Sequence, residues 1–126
     1  MRVYRGREGQ WAWILHRISG LGVLLFLCLH VVDTSLLLAG EEAYNHLIRA
    51  LYRQWWFQPL EVALGAALVY HALNGVRLTL IDFWDGGVRY ERQLRRATAG
   101  LFVLVMLPLA AAMLWPFVGS ALMGGR

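Results

Sequence analysis

The segment Pro59–Phe83, PLEVALGAALVYHALNGVRLTLIDF, decides the fold. It is apolar over 25 residues, and at about 1.5 Å per residue that is enough helix to cross the ~30 Å hydrocarbon core of a bilayer. It also carries Glu61, His71, Asn74, Arg77 and Asp82. Ionisable groups inside a bilayer cost a few kcal/mol or more each, so they persist there only with a partner, a cavity or a cofactor. The segment therefore reads as a membrane-spanning helix with one specialised polar face. Two further apolar stretches flank it. The first runs from about Trp11 to Ala39, is most apolar between Leu21 and Leu38, and carries His16, Arg17, His30 and Asp33. The third, from about Ala97 to Val118, has no ionisable side chain, and Pro108 is expected to kink it because proline lacks the amide hydrogen a helix needs.

Composition agrees with three spans. Of 126 residues 59% are apolar and only 16% charged, which excludes a soluble globular domain. All twelve basic residues are arginines, and a chain this apolar places them at membrane interfaces rather than along a solvated face, so nucleic acid is not an expected partner. The single cysteine, Cys28, lies within an apolar run and offers neither a disulfide framework nor a cysteine-rich metal site. The polar stretch Met1–Gln10 precedes an apolar run too long for a signal peptide and without a small-residue cleavage site, so it reads as retained. Nine arginines lie at the N-terminus, in the first turn and after the second span; only Arg49, Arg53 and Arg126 lie on the other side. The positive-inside rule then puts the N-terminus in the cytoplasm and the C-terminus outside. Trp11, Trp13, Trp55, Trp56, Trp84 and Trp115 fall near span ends, as an aromatic belt does. Between the first two spans, Tyr44, Leu47, Ile48, Leu51, Tyr52 and Trp55 recur at three- and four-residue intervals, which predicts a short helix over about 41–55, lying in the interface or packed as a loop helix. The expectation is one all-α membrane domain over residues 1–126, with spans of about 11–39, 59–83 and 97–118.

The polar residues inside these spans are not scattered. His71, Gly75 and Asp82 are four and eleven residues apart, and at 100° per residue they fall within roughly 40° on one helix face. A histidine near mid-depth with a glycine one turn away suits a planar macrocycle, which needs an imidazole nitrogen on its metal and a gap for its edge. A histidine bonded to a neighbouring helix explains the same residues equally well. His16 and His30 share a face but lie about 21 Å apart along their helix, so they cannot bind the same metal. His16 and Arg17 either snorkel to lipid headgroups or hold anionic groups or a quinone carbonyl, and Arg77 approaches the same side. His30 and Asp33 are spaced to bond one another across a helical turn. A transporter or proton relay would use His30, Asp33, His71 and Asp82 as a polar path. A purely structural anchor would treat His71 as a packing residue.

Two motifs narrow these readings: Leu15-His16-Arg17-Ile18-Ser19-Gly20, and His71-Ala72-Leu73-Asn74-Gly75-Val76-Arg77 followed by Asp82. Together they resemble the cytochrome b subunit of succinate dehydrogenase, a small membrane anchor of complex II, over nearly the whole chain. Leu29-His30-Val31-Val32-Asp33-Thr34 and Leu80-Ile81-Asp82-Phe83-Trp84 are similar to the actinobacterial branch of that family. The resemblance implies a non-catalytic anchor in a bacterial plasma membrane that completes a helical bundle with a second anchor subunit and docks an iron-sulfur subunit and a flavoprotein. FAD and the iron-sulfur clusters belong to those partners, and the whole complex is a candidate oligomer. His71 takes the place of the axial haem b ligand, the other axial histidine coming from the second anchor. His16, Arg17 and Arg77 take places on the haem propionate side, and Arg17 also lies beside the quinone head. Where many relatives have a quinone-binding serine this chain has Trp13, which leaves Ser19, Trp13 or the other subunits to make that contact. Relatives often have a histidine after the motif arginine, where this chain has Leu78. Two-haem versions of the enzyme use a histidine in the first span, which makes His30 a candidate second-haem ligand. A quinol:fumarate reductase anchor has the same pattern, because direction is set elsewhere in the complex.

Overall fold

The computed structural model of the chain describes residues 8–124. Arg2, Arg5, Arg7 and Arg126, part of the arginine asymmetry, lie outside the described residues. Helix α1 spans Glu8–Ser35 and tightens into a 3₁₀ turn over Leu36–Ala39. Gly40 then reverses the chain at φ 114°, a conformation that a side chain would strain. Helix α2, Glu41–Leu47, has Glu41 and Glu42 in its first turn and His46 in its last, the order that suits a helix dipole. It passes into a π-helical turn, Ile48–Tyr52, before α3 (Phe57–Phe83) and α4 (Glu91–Met123). Among the described residues all regular structure is helical, and α1, α3 and α4 are each long and apolar enough to cross a membrane.

Helix α3 is the middle helix, packed against α1 on one side and α4 on the other. Tyr70 serves both contacts. Its hydroxyl donates to the Ala12 carbonyl of α1 at 3.2 Å, and its ring meets Phe102 of α4 edge-on at 5.9 Å. Burial is inverted relative to a water-soluble fold: the buried side chains include Ser19, Asn74 and Arg77, while leucines and valines along all three long helices are exposed. Lipid tails reward no apolar burial, but backbone and polar groups must be satisfied inside the protein, so polar residues turn inward.

The helices differ from the expected spans in extent. The helix that carries the third span begins at Glu91, ahead of Ala97, because Arg92, Arg95 and Arg96 are helical and not part of a charged loop. Glu91 stabilises that start, lying at the positive end of the helix dipole and bonding Arg95 one turn on at 3.1 Å. Helix α4 runs through both Pro108 and Pro116, each of which withholds one amide bond from it. In hydrocarbon no water competes for the neighbouring carbonyls, so the helix survives its missing amide bonds. The connecting helix does not reach 55: it changes to the wider π turn and stops at Tyr52, leaving Trp55 and Trp56 exposed.

Candidate functional site at the interface of α1 and α3

His71 lies midway along α3 and meets the motif of α1 directly. Its ring stacks on that of His16, with centroids 4.2 Å apart and planes 8° from parallel. The pairing depends on glycine. A Cβ on Gly20 would stand 2.7 Å from Cε1 of His71, closer than atoms tolerate, so only a bare backbone lets the imidazole lie against α1. Gly75 faces His16 less tightly: a Cβ there would stand 3.7 Å from its Cε1, an ordinary contact.

Hydrogen bonding fixes the tautomer of His71. Nδ1 lies 3.1 Å from the His16 carbonyl oxygen and 3.4 Å from Oγ of Ser19, and that hydroxyl itself donates to the same carbonyl at 2.9 Å. A carbonyl only accepts, so Nδ1 carries the proton and donates. In a neutral imidazole the lone pair is then on Nε2. Nδ1–H held by a backbone carbonyl is the arrangement found behind metal-bound histidines, where it sets the ring's orientation and raises the basicity of the free nitrogen. The residues therefore fit a single axial ligand to a haem iron. Among the described residues no cluster of three or more His, Cys, Asp or Glu could hold a bare metal ion.

Beneath this pair is a buried charge. Arg77 is 5% exposed; its Nε donates to Oδ1 of Asn74 at 2.9 Å and its Nη1 to Oε1 of Glu91 at 3.2 Å. The same Glu91 oxygen accepts from Arg95, so one carboxylate joins α3 to the first turn of α4. Asn74, 2% exposed, is oriented by this bond, since only its oxygen can face the guanidinium donor. Its Nδ2 and the Nδ1 of His16 are buried without hydrogen-bond partners among the described residues.

The other predicted site residues lie apart. Ser19 is buried inside the interface of α1 and α3. Arg17 and Trp13 point outward together, the guanidinium 4.2 Å above the indole, on an exposed face of the same end of α1. His30 is exposed and stacks on Phe26 at 5.5 Å. Asp33 does not bond His30; it accepts the hydroxyl proton of Tyr52, because the π turn swings that side chain over the end of α1. Asp82 is exposed and makes no hydrogen bond among the described residues. The four residues of a proton path thus fall into separate places. Gly20, Asn74 and Glu91 were not singled out as site residues from the sequence. The first two stand inside the quoted motifs, which is where a signal was available; Glu91 had the i,i+4 spacing to Arg95, but its buried partner Arg77, fourteen residues earlier on another helix, was not legible from spacing.

Sequence comparison identifies the family. Residues 1–114 match the family model described as succinate dehydrogenase/fumarate reductase transmembrane subunit. The chain is 42% identical over 106 residues to succinate dehydrogenase 2 membrane subunit SdhC of Mycobacterium tuberculosis, covering 84% of this chain and 77% of that protein. It is 33% identical over 103 residues to the succinate dehydrogenase hydrophobic membrane anchor subunit of Halobacterium salinarum, covering 82% and 77%. With three apolar helices and a polar interface built from both motifs, the chain belongs to the succinate dehydrogenase/fumarate reductase transmembrane subunit family, as a multi-pass membrane anchor that is a non-catalytic part of its complex.

Proposed function

We propose that this anchor ligates haem b through Nε2 of His71 and forms one wall of a quinone-reduction site in electron transfer from succinate to quinone. The observation that carries the reading is the Nδ1 contact of His71 with the His16 carbonyl, which leaves Nε2 as the free base. When bound, haem b supplies a one-electron store between the iron-sulfur clusters of a partner subunit and quinone. The chain's own residues do the rest. His16 and Gly20 set the plane of His71, and Ser19 and the His16 carbonyl hold its proton on Nδ1. Arg77, fixed by Asn74 and Glu91, keeps a cation in the interior for the propionate side. Arg17 and Trp13, exposed at the same end, present a cation and an aromatic face to a quinone head arriving from the bilayer.

A second anchor subunit would supply the other histidine that holds the haem, and the soluble iron-sulfur and flavoprotein subunits would dock at the arginine-rich end, on the cytoplasmic face of a bacterial plasma membrane. The deciding experiment is a reduced-minus-oxidised absorption spectrum, with haem counted per flavin, on the complex purified through a tag on this chain. One haem b per flavin, lost in His71→Ala with the complex still inserted, supports the reading. A full haem spectrum in that variant refutes the ligand assignment. Two haems per flavin, one lost in His30→Ala, would make His30 a ligand as well.

A further inference from the structure

At the end of the bundle away from His71, α1, α3, α4 and the π turn enclose an apolar cavity of about 320 Å³. Its walls include Phe26, Leu29, Leu64, Leu68 and Met113, and three polar side chains cluster at one end: Asp33, Tyr52 and Glu61. The cavity's shape follows from its lining. On α1 it extends from Val23 to Asp33 and on α3 from Leu68 to Phe57, and ten or eleven helical residues rise about 15–17 Å. That is half of the ~30 Å hydrocarbon core, so the cavity spans a single leaflet, with its polar end at the interface.

The polar end has one chemical sense. The Tyr52 hydroxyl already gives its proton to Asp33, and Glu61 makes no hydrogen bond among the described residues. The lining contains no Lys, Arg or His, so an occupant has to bring the donors and the positive charge. Arg49 and Arg53, exposed on and just after the turn that carries Tyr52, make no ion pair among the described residues and supply cations for an anionic group outside the cavity. A phosphate flanked by a primary ammonium, above an acyl chain, matches both signs. A quaternary ammonium has no N–H to give. Quinone carbonyls would face acceptors with acceptors.

We infer that this cavity is a binding site for one aminophospholipid, phosphatidylethanolamine, with its ammonium on Asp33 and Glu61 and an acyl chain between α1 and α3. The inference does not depend on haem ligation. The test uses the intact complex, delipidated in detergent, supplied with phosphatidylethanolamine, and read by native mass spectrometry with subunit stoichiometry checked in the same spectra. One tightly held phosphatidylethanolamine per copy of this chain is expected, not displaced by excess phosphatidylcholine or phosphatidylglycerol. The Asp33→Asn, Glu61→Gln double variant should bind it at least about tenfold more weakly, the loss expected for charged hydrogen bonds.

Gly65→Leu gives a second route that leaves the carboxylates in place. A Cβ at Gly65 would meet Met113 Sδ at 3.7 Å, an ordinary contact, so the first carbon fits and the rest of the side chain fills the cavity. Assembled Gly65→Leu complex should also lose the lipid, and it decides the matter if the double variant does not assemble. Retention of phosphatidylethanolamine in the assembled variants overturns the proposal. So does equal displacement by phosphatidylcholine, a stoichiometric quinol in place of the lipid, or a wild-type complex with no bound lipid because a partner side chain fills the cavity.

Discussion

Replacing Gly20 by alanine tests whether the imidazole of His71 is wedged against α1. The new Cβ would lie 2.7 Å from Cε1 and 3.1 Å from Nδ1, so the ring has to retreat by about 0.7 Å to reach a 3.4 Å contact. Two contacts oppose the retreat: the stack on His16 at 4.2 Å, and the bond to the His16 carbonyl, which at 3.1 Å is near the upper end of a normal hydrogen bond. Overpacking of this kind costs about 1–3 kcal/mol. Against it stands a gain of up to about 1 kcal/mol from putting alanine where glycine was in a helix. Gly22, half a turn further along α1, has no atom within 4 Å of a Cβ and keeps the gain without the cost. The difference between Gly20→Ala and Gly22→Ala should therefore be about 1–3 kcal/mol, in favour of Gly22→Ala. Thermal dissociation of the purified complex, with both variants and wild type run side by side, measures it. Equal midpoints for the two alanine variants would refute the wedge and, with it, the account of how His71 is oriented.

Three other outcomes follow from the geometry. Glu91→Ala leaves the 5%-exposed Arg77 without its carboxylate and should destabilise the complex by about 3 kcal/mol, the low end for a broken buried pair because Glu91 is itself 37% exposed; chemical denaturation checks it. The phenol of Tyr52 is pushed up to about 12 by its hydrogen bond to Asp33 and then by desolvation, so an alkaline absorbance titration should show a tyrosine ionising there that Tyr52→Phe removes and Asp33→Asn returns toward 10.0. Because that folded value is raised, the stabilisation is complete below about pH 10 and is lost as the pH climbs through about 12. Arg17→Leu should lower quinone reduction more than succinate oxidation by an artificial dye, and equal loss of both would indicate failed assembly instead.

The three spans were legible in the sequence because a bilayer demands about twenty apolar residues per crossing, and few other folds do. The start of α4 was not, because Arg92, Arg95 and Arg96 look the same in a loop as in a helix that emerges from the membrane. That His71 shares a helix face with Gly75 was visible from helical periodicity, but its stacking partner was not. Stacking on His16 depends on how α1 and α3 rotate and slide against each other, which no spacing within one helix encodes. His30 and Asp33 show the opposite failure: their spacing favours a local bond, yet Tyr52, nineteen residues beyond Asp33, takes the carboxylate. The two orphaned polar atoms, Nδ1 of His16 and Nδ2 of Asn74, belong to the same class of information, since only a packed interface can strand them.

The carboxylate of Glu91 also acts as a depth gauge. A helix in lipid slides along its neighbour at little cost where the contact is leucine on leucine, and a slip by one turn moves it about 5.4 Å. Here such a slip would strand a guanidinium in hydrocarbon, so α4 is held at one height against α3. Arg77, the partner of that carboxylate, lies six residues, under two turns of α3, beyond His71. The tie therefore joins the height of α4 to the part of α3 that carries Asn74 and Arg77, close to where His71 stacks on His16.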